Sequence, residues 1–130
     1  MAPSEHKIRV LVFNRYGLFR EGLKAMLPHG GPIEIVAEAV NGKQALRIAE
    51  RLHPDVVLVD TTLADSVTVT RGVKQIDPHI KVLIVSLQDD EGLVAECLAA
   101  GAIGCVRKDA HPEQLRRAIQ NACRGATYAA

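Results

Sequence analysis

Three polar side chains follow three successive apolar runs, and together they could handle a phosphate group. Asp60, Ser86 and Lys108 each come directly after a short, mainly apolar run. If these runs are neighbouring parallel strands, their carboxyl ends meet at one edge of the sheet, where open α/β sheets bind ligands. A carboxylate can attack a phosphoryl group, and a nearby ammonium can hold its oxygens. The spacing therefore predicts one phosphate-handling site.

Taken singly, the same residues have plainer interpretations. A lone Asp60 would be a surface acid at a strand end, Ser86 a helix cap and Lys108 a solvated lysine. Their shared position at strand ends favours one polar cluster. The acidic segment 89–91 is interpreted as a solvated helix N-terminus. The five histidines share no metal-ligand spacing, so we predict no metal site from them.

The elements that would position this cluster alternate regularly. Short apolar runs predict strands, and apolar residues three and four apart predict helices. Because the strands are almost continuously apolar, both faces of a parallel sheet should be covered by helices, as in a doubly wound α/β fold. The predicted strands are residues 8–13, 33–37, 55–60, 80–85 and 103–106, and the predicted helices are residues 18–27, 42–53, 65–76, 89–100 and 112–124.

Three features of these helices are specific enough to check. The segment 65–76 is rich in β-branched residues, but a stripe of apolar residues favours a helix there, capped by Asp65 or Ser66. Gly101 should end the helix before it. The predicted inner faces of the second and last helices consist of Ala45, Leu46, Ile48, Ala49 and Leu52, and of Leu115, Ala118, Ile119 and Ala122.

Composition limits the kind of protein. The 130 residues are 48% hydrophobic, with 16 basic and 15 acidic side chains, which fits one domain with its own core. Because basic and acidic side chains are nearly balanced, the chain lacks the excess positive charge that is typical of proteins that bind nucleic acid or an anionic membrane. Aromatic residues make up only 3%, which disfavours a stacking platform for single strands. We therefore expect no direct binding of DNA or membrane by these residues.

The cysteines and the apolar runs indicate a cytoplasmic location. Cys97, Cys105 and Cys123 are odd in number and have no Cys-x-x-Cys spacing, which is typical of reduced thiols. No apolar run approaches the roughly 20 residues that a membrane span needs. The first residues lack the apolar core of a signal peptide.

In this order the motifs resemble a response-regulator receiver (CheY-like) domain, and within that family the NarL/FixJ (LuxR-type) transcriptional regulators. The resemblance extends over nearly the whole chain. Each matching stretch alone is weak evidence for the family, but their occurrence in this order is specific. The matching stretches are residues 8–12, 18–23, 36–42, 54–60 and 100–109.

The resemblance implies a flavodoxin-like fold with five parallel strands in the order 2-1-3-4-5 and five helices. It implies that Asp60 is at the phosphoacceptor position, Ser86 at the switch position and Lys108 at the phosphate-binding position. Residues 1–125 would form the receiver domain and residues 126–130 the start of a linker. A DNA-binding helix-turn-helix domain would follow beyond these residues.

Three departures from the family are visible in the sequence. The acidic pair expected after the first strand is Asn14 and Arg15 here. The loop 61–65 lacks the expected proline and glycine and is about two residues short by register. The aromatic switch position is Cys105, which we interpret as a small buried filler.

These departures weaken a Mg²⁺ site, because Mg²⁺ prefers hard oxygen ligands, usually carboxylates with waters. Asn14 offers one neutral oxygen, whereas Arg15 offers only donors and a permanent positive charge. We expect Arg15 to repel the ion and to pair with Asp60. The leading hypothesis is a non-catalytic, cofactor-free receiver that is atypical: Mg²⁺-independent, and regulated through protein contacts without depending on phosphorylation.

Two alternatives stay open at this point. The first is a conventional receiver that is phosphorylated on Asp60 with Mg²⁺ in a two-component phosphorelay. The second is a flavodoxin-fold enzyme or flavin binder, which the scarcity of aromatic residues and of a phosphate-cradling loop disfavours. Candidate partners are a second copy of the chain, a histidine kinase and a small effector ligand.

Overall fold

The computed structural model describes residues 7–27, 30–60, 65–86 and 91–124, and the backbone of residues 128–129. Strands and helices alternate through this part of the chain. Their bounds are β1 Ile8–Phe13, α1 Gly17–Met26, β2 Ile33–Ala39, α2 Gly42–Leu52, β3 Val56–Asp60, α3 Ser66–Ile76, β4 Lys81–Ser86, α4 Glu91–Ala99, β5 Gly104–Arg107, α5 Pro112–Cys123 and β6 Tyr128–Ala129.

The sheet confirms the predicted five parallel strands in the order 2-1-3-4-5. A sixth strand, β6, which no sequence pattern predicted, pairs in parallel with the outer edge of β5. Parallel strands joined by helices place both sheet faces under cover, which explains why all five residues of β3 are buried.

Two apolar layers cover the sheet. On one face, α1 and α5 pack against alternate strand residues through Leu23, Leu27, Leu115, Ala118 and Ile119. On the other face, α2, α3 and α4 pack through Ala45, Ala49, Val69, Val73 and Cys97. The burial of Leu115, Ala118, Ile119 and Ala122 confirms the predicted inner face of α5.

Other details differ from the predictions. β2 is two residues longer than predicted, and β4 and β5 are each shifted by one residue. Leu52 is 37% exposed rather than buried, because it lies in the last turn of α2, which His53 ends in a left-handed conformation at φ 43. In α1, Leu18 is 88% exposed and so lies on the side of the helix that faces away from the core.

The predicted helix at residues 65–76 is confirmed, but its cap is not. Thr70 donates its hydroxyl to the Ser66 carbonyl at 2.8 Å, a bond that lets threonine fit a helix. Asp65 occupies the N-cap position without a side-chain cap bond. Its carboxylate instead accepts the Gly42 N–H at 2.9 Å, because the start of α2 lies beside it.

Gly101 follows the end of α4, as predicted. Its φ of 121 is a conformation that favours glycine. Several predicted features lie outside the described residues: the helix stop at 28–29, the short loop at 61–64, the helix start at 89–90 and most of the segment 126–130. Within the described part of the chain, every helix is too short or too polar to span a membrane.

Candidate functional site

Asp60 is a buried carboxylate at the carboxyl end of β3. β3 lies between β1 and β4, and Asp60 pairs in register with Val85. Its residue exposure is 2%. A charged group at such a position is costly unless it is paired or hydrogen bonded, so its partners decide what the site can do.

Lys108 is a charged partner of Asp60. Its Nζ lies 2.9 Å from Oδ1 and 3.0 Å from Oδ2, so one ammonium contacts both carboxylate oxygens. The Lys108 backbone N–H donates to the Ser86 carbonyl at 2.8 Å, which fixes the start of this side chain at the end of β5. At an effective dielectric near 20, the gross attraction at this distance is on the order of 6 kcal/mol, before desolvation is subtracted.

Phe19 supports the lysine from α1. The Lys108 Nζ lies 5.0 Å from the centre of the Phe19 ring, within the range of a cation–π contact. The Lys108 side chain is only 16% exposed. The ammonium is therefore held between an aromatic ring and a buried carboxylate, away from most of the solvent.

Asn14 supplies the second contact to Asp60. Its side-chain amide nitrogen donates to Asp60 Oδ2. Its amide oxygen faces the other way and accepts the Tyr16 N–H at 2.6 Å. Arg20 Nη1 donates to the Asn14 backbone carbonyl at 2.7 Å. The Asn14 oxygen that could have bound a metal is thus directed away from Asp60, and its donor is directed at it.

The expected pairing of Arg15 with Asp60 is wrong. Arg15 is exposed, whereas Asn14 is 1% exposed. β1 ends at Phe13 and the backbone bends at Arg15, which lies at the surface while Asn14 stays buried. Arg15 makes no ion pair with a carboxylate of the described residues. The positive charge beside Asp60 therefore comes from Lys108 and not from a guanidinium.

Ser86 lies next to the site, but its side chain is engaged with β5. It is the last residue of β4 and is 3% exposed. Its Oγ lies 3.1 Å from the Sγ of Cys105, which is half-buried. Cys105 is therefore more than the buried filler predicted from the sequence, because its thiol contacts the Ser86 hydroxyl.

The other cysteines contribute no reactive thiol. Burial raises the pKa of the Cys97 thiol, and its Sγ lies 3.9 Å from the Ser66 hydroxyl. Burial also raises the pKa of the Cys123 thiol. Both groups are therefore protonated near neutral pH.

Among the described residues, the donors around Asp60 are not the set that Mg²⁺ usually takes. Such an ion needs several hard oxygens, usually including one or two carboxylates. Here an ammonium already contacts both oxygens of Asp60, and the Asn14 amide presents nitrogen rather than oxygen. Within the ranges that the structure describes, there is no group of three His, Cys, Asp or Glu residues that could hold a metal ion.

The structure brings Asp60, Lys108 and Asn14 into contact, places Ser86 beside them and turns Arg15 away. Sequence reasoning missed the residues that orient this cluster. Phe19 was predicted only as part of the helix 18–27, although its place in the stretch 18–23 that carries the family resemblance was a usable signal. Tyr16 acts through its backbone N–H, which no side-chain pattern can reveal.

This arrangement, a parallel sheet in the order 2-1-3-4-5 with a carboxylate ending β3 and a lysine following β5, defines a receiver-type signalling domain. The family described as the response regulator receiver domain matches residues 10–120. The chain belongs to this family.

Two relatives are similar in sequence to this chain over most of its length. The transcriptional regulatory protein DegU of Brevibacillus brevis is 34% identical over 127 residues, which is 96% of this chain and 54% of DegU. The response regulator GacA of Pseudomonas aeruginosa is 32% identical over 123 residues, which is 93% of this chain and 58% of GacA. The chain thus spans little more than half the length of these relatives.

Solved structures of response regulators have the same fold. A two-component response regulator of the LuxR family from Aurantimonas sp. SI85-9A1 superposes with a TM-score of 0.85 at 27% identity, covering 95% of this chain and 89% of that one. The signal receiver domain of NarL from Mycobacterium tuberculosis superposes with a TM-score of 0.84 at 31% identity, covering 92% and 98%. These neighbours confirm the LuxR-type resemblance and the receiver fold.

Proposed function

We propose that this chain is the regulatory receiver module of a transcriptional regulator and that it switches without Mg²⁺-dependent phosphorylation of Asp60. The observation that supports this proposal is the double contact of Lys108 with both oxygens of Asp60. In this arrangement the lysine neutralises the carboxylate that a divalent cation would otherwise share.

The chemistry of phosphoryl transfer gives the physical reason. The attacking carboxylate oxygen must lie in line with the bond that breaks, and positive charge must hold the transferring oxygens. Here Oδ2 accepts from both Asn14 and Lys108, and Oδ1 contacts Lys108. An oxygen must give up part of this bonding before it can attack, which raises the barrier.

The remaining partners follow from the family and from its relatives. DegU is named as a transcriptional regulatory protein, which supports a role in controlling transcription. The module would act by contacts with a histidine kinase, a small effector ligand or a second copy of itself. DNA would be bound by a C-terminal domain outside these residues, reached through the linker predicted at 126–130.

A conventional phosphoacceptor is the second candidate, and one observation favours it. Asp60 and Lys108 lie together at the carboxyl end of the sheet with Ser86 on the strand between them. A lysine that can leave Asp60 could hold the oxygens of a phosphoryl group instead. In that case Mg²⁺ would have to bind with Asp60 as its main protein ligand.

Incubation with a small acyl phosphate and Mg²⁺, followed by intact-mass measurement, separates the two candidates. We expect no stoichiometric phosphate adduct on the wild-type chain. The matched variant Asn14→Asp/Arg15→Asp returns the acidic pair and should gain an adduct, which a further Asp60→Asn change removes. A stoichiometric adduct on the wild type that Asp60→Asn abolishes would establish the conventional function.

A further inference from the structure

The polypeptide that leaves the receiver is built into its sheet. After α5 the chain returns and forms β6, which pairs in parallel with β5 so that Gly104 lies opposite Tyr128 and Cys105 opposite Ala129. The unit β5–α5–β6 therefore repeats the strand–helix–strand connection of the rest of the fold.

We propose that β6 is a detachable strand whose docking on β5 responds to the state of the Asp60 site. The segment that leads out of the receiver would then sense that site through the sheet itself. This inference goes beyond the proposed function and does not depend on whether Asp60 is phosphorylated.

β5 touches the site and β6 at the same time. Cys105 places its Sγ 3.1 Å from the Ser86 hydroxyl, and its backbone pairs with Ala129. Lys108, directly after β5, pairs with Asp60 and donates its N–H to the Ser86 carbonyl at 2.8 Å. A change at Asp60 therefore alters contacts of β5, the strand that pairs directly with β6.

The size of β6 makes it responsive. It has two residues and one neighbouring strand, whereas β3 has five buried residues and a strand on each side. Short edge elements open with small free energies, so a small perturbation changes their docked fraction appreciably. The central strands should respond only through the global stability of the chain.

Residue-resolved amide hydrogen exchange on the 130-residue chain tests the docking first. Successive amides of a strand face opposite sides, so one of Tyr128 and Ala129 donates to β5. We expect protected amides at this edge in the wild type, lost in Tyr128→Pro or in Ala129→Pro and kept in the control Ala129→Val. Amides of β6 that exchange as fast as an unfolded chain in the wild type would overturn the proposal.

The coupling is tested in the same measurement. We expect Asp60→Asn and Lys108→Met each to change β6 exchange by about threefold or more, while Val10 in β1 changes only by the loss of global stability measured for the same variant. Lys43→Met, an exposed lysine on α2, serves as the matched control and should change nothing. Ser86→Ala, a milder variant, should also change β6 exchange if the larger changes unfold the chain. Unchanged β6 exchange in folded Asp60 or Ser86 variants, or an equal effect of Lys43→Met, would overturn the coupling.

Discussion

Two lysine–carboxylate contacts in this molecule have similar lengths and different surroundings. At the end of the sheet, Lys108 and Asp60 approach to 2.9 Å with side-chain exposures of 16% and 1%. Between α1 and β2, Lys24 and Glu38 approach to 2.7 Å with exposures of 43% and 29%. The distance is nearly the same, so the difference in consequence comes from burial.

The exposed contact belongs to a shared network. Glu38 also accepts from Arg20 Nε at 2.9 Å, and Lys24 also contacts Glu21. The hydrogen bond from Lys24 lowers the pKa of Glu38, and the same bond raises the pKa of Lys24. Water and neighbouring charges can replace any one partner there. At Asp60 the loss of the ammonium should destabilise the fold more, because the carboxylate stays buried.

Removal of Lys108 should produce the largest effect. Lys108→Met leaves Asp60 without its cation, and we expect a loss of about 3 kcal/mol in the free energy of unfolding. Urea denaturation at neutral pH measures the change. Adding Asp60→Asn to this variant should return part of the lost stability, because the buried negative charge is then removed.

The matched substitution on the surface sharpens the comparison. Lys24→Met should cost at most about 1 kcal/mol, since exposed ion pairs contribute little and Arg20 still contacts Glu38. Equal losses in Lys24→Met and Lys108→Met would show that burial does not separate the two contacts.

Asp65 extends the comparison to a carboxylate that is bonded to backbone. It accepts the Gly42 N–H at 2.9 Å, and a Cβ on Gly42 would collide with this carboxylate. We expect Gly42→Ala to destabilise the chain by about 1–3 kcal/mol through the forced shift. Thermal or urea unfolding measures this change.

Gly22 provides the control for that substitution. It lies inside α1, and a Cβ there meets nothing within 4 Å. Gly22→Ala should therefore stabilise the chain by about 0.5–1 kcal/mol, the usual helix preference for alanine over glycine. A destabilising Gly22→Ala would show that the effect at Gly42 is not specific to the contact with Asp65.

The smallest effect should come from Glu38 and should depend on pH. Its pKa in the folded chain is lowered from 4.5, so it contributes stability above that value and loses it as the pH falls through the folded pKa. Glu38→Gln should cost about 0.5 kcal/mol at neutral pH and nothing once the carboxyl is protonated. Urea denaturation of the wild type and of Glu38→Gln at neutral and at acidic pH measures the loss of stability. A loss of the same size at both pH values would contradict this prediction.

Much of the fold could be predicted because its signals are local. The β3 run of valine and leucine needs only its own residues to indicate a buried strand. The helix α3 was predictable against its β-branched residues because Val69 and Val73 keep a helical stripe, and both are buried. Asp60 and Lys108 could be placed together because the carboxyl ends of parallel strands converge.

The rest depends on contacts between distant residues. Whether Asn14 or Arg15 faces the site depends on the direction of one residue after β1. The orientation of the Asn14 amide depends on a backbone N–H at Tyr16. β6 has only two residues, too few to form a sequence pattern, and it is held by pairing with β5.

We propose that Lys108 and Asn14 occupy the oxygens of Asp60 that a divalent cation would otherwise bind. A titration of the wild-type chain with millimolar Mg²⁺, followed by backbone amide resonances at the end of β3, tests this claim most directly. We predict no saturable shift in the wild type and a saturable shift in Asn14→Asp/Arg15→Asp. Saturable binding by the wild type that Asp60→Asn abolishes would contradict the account.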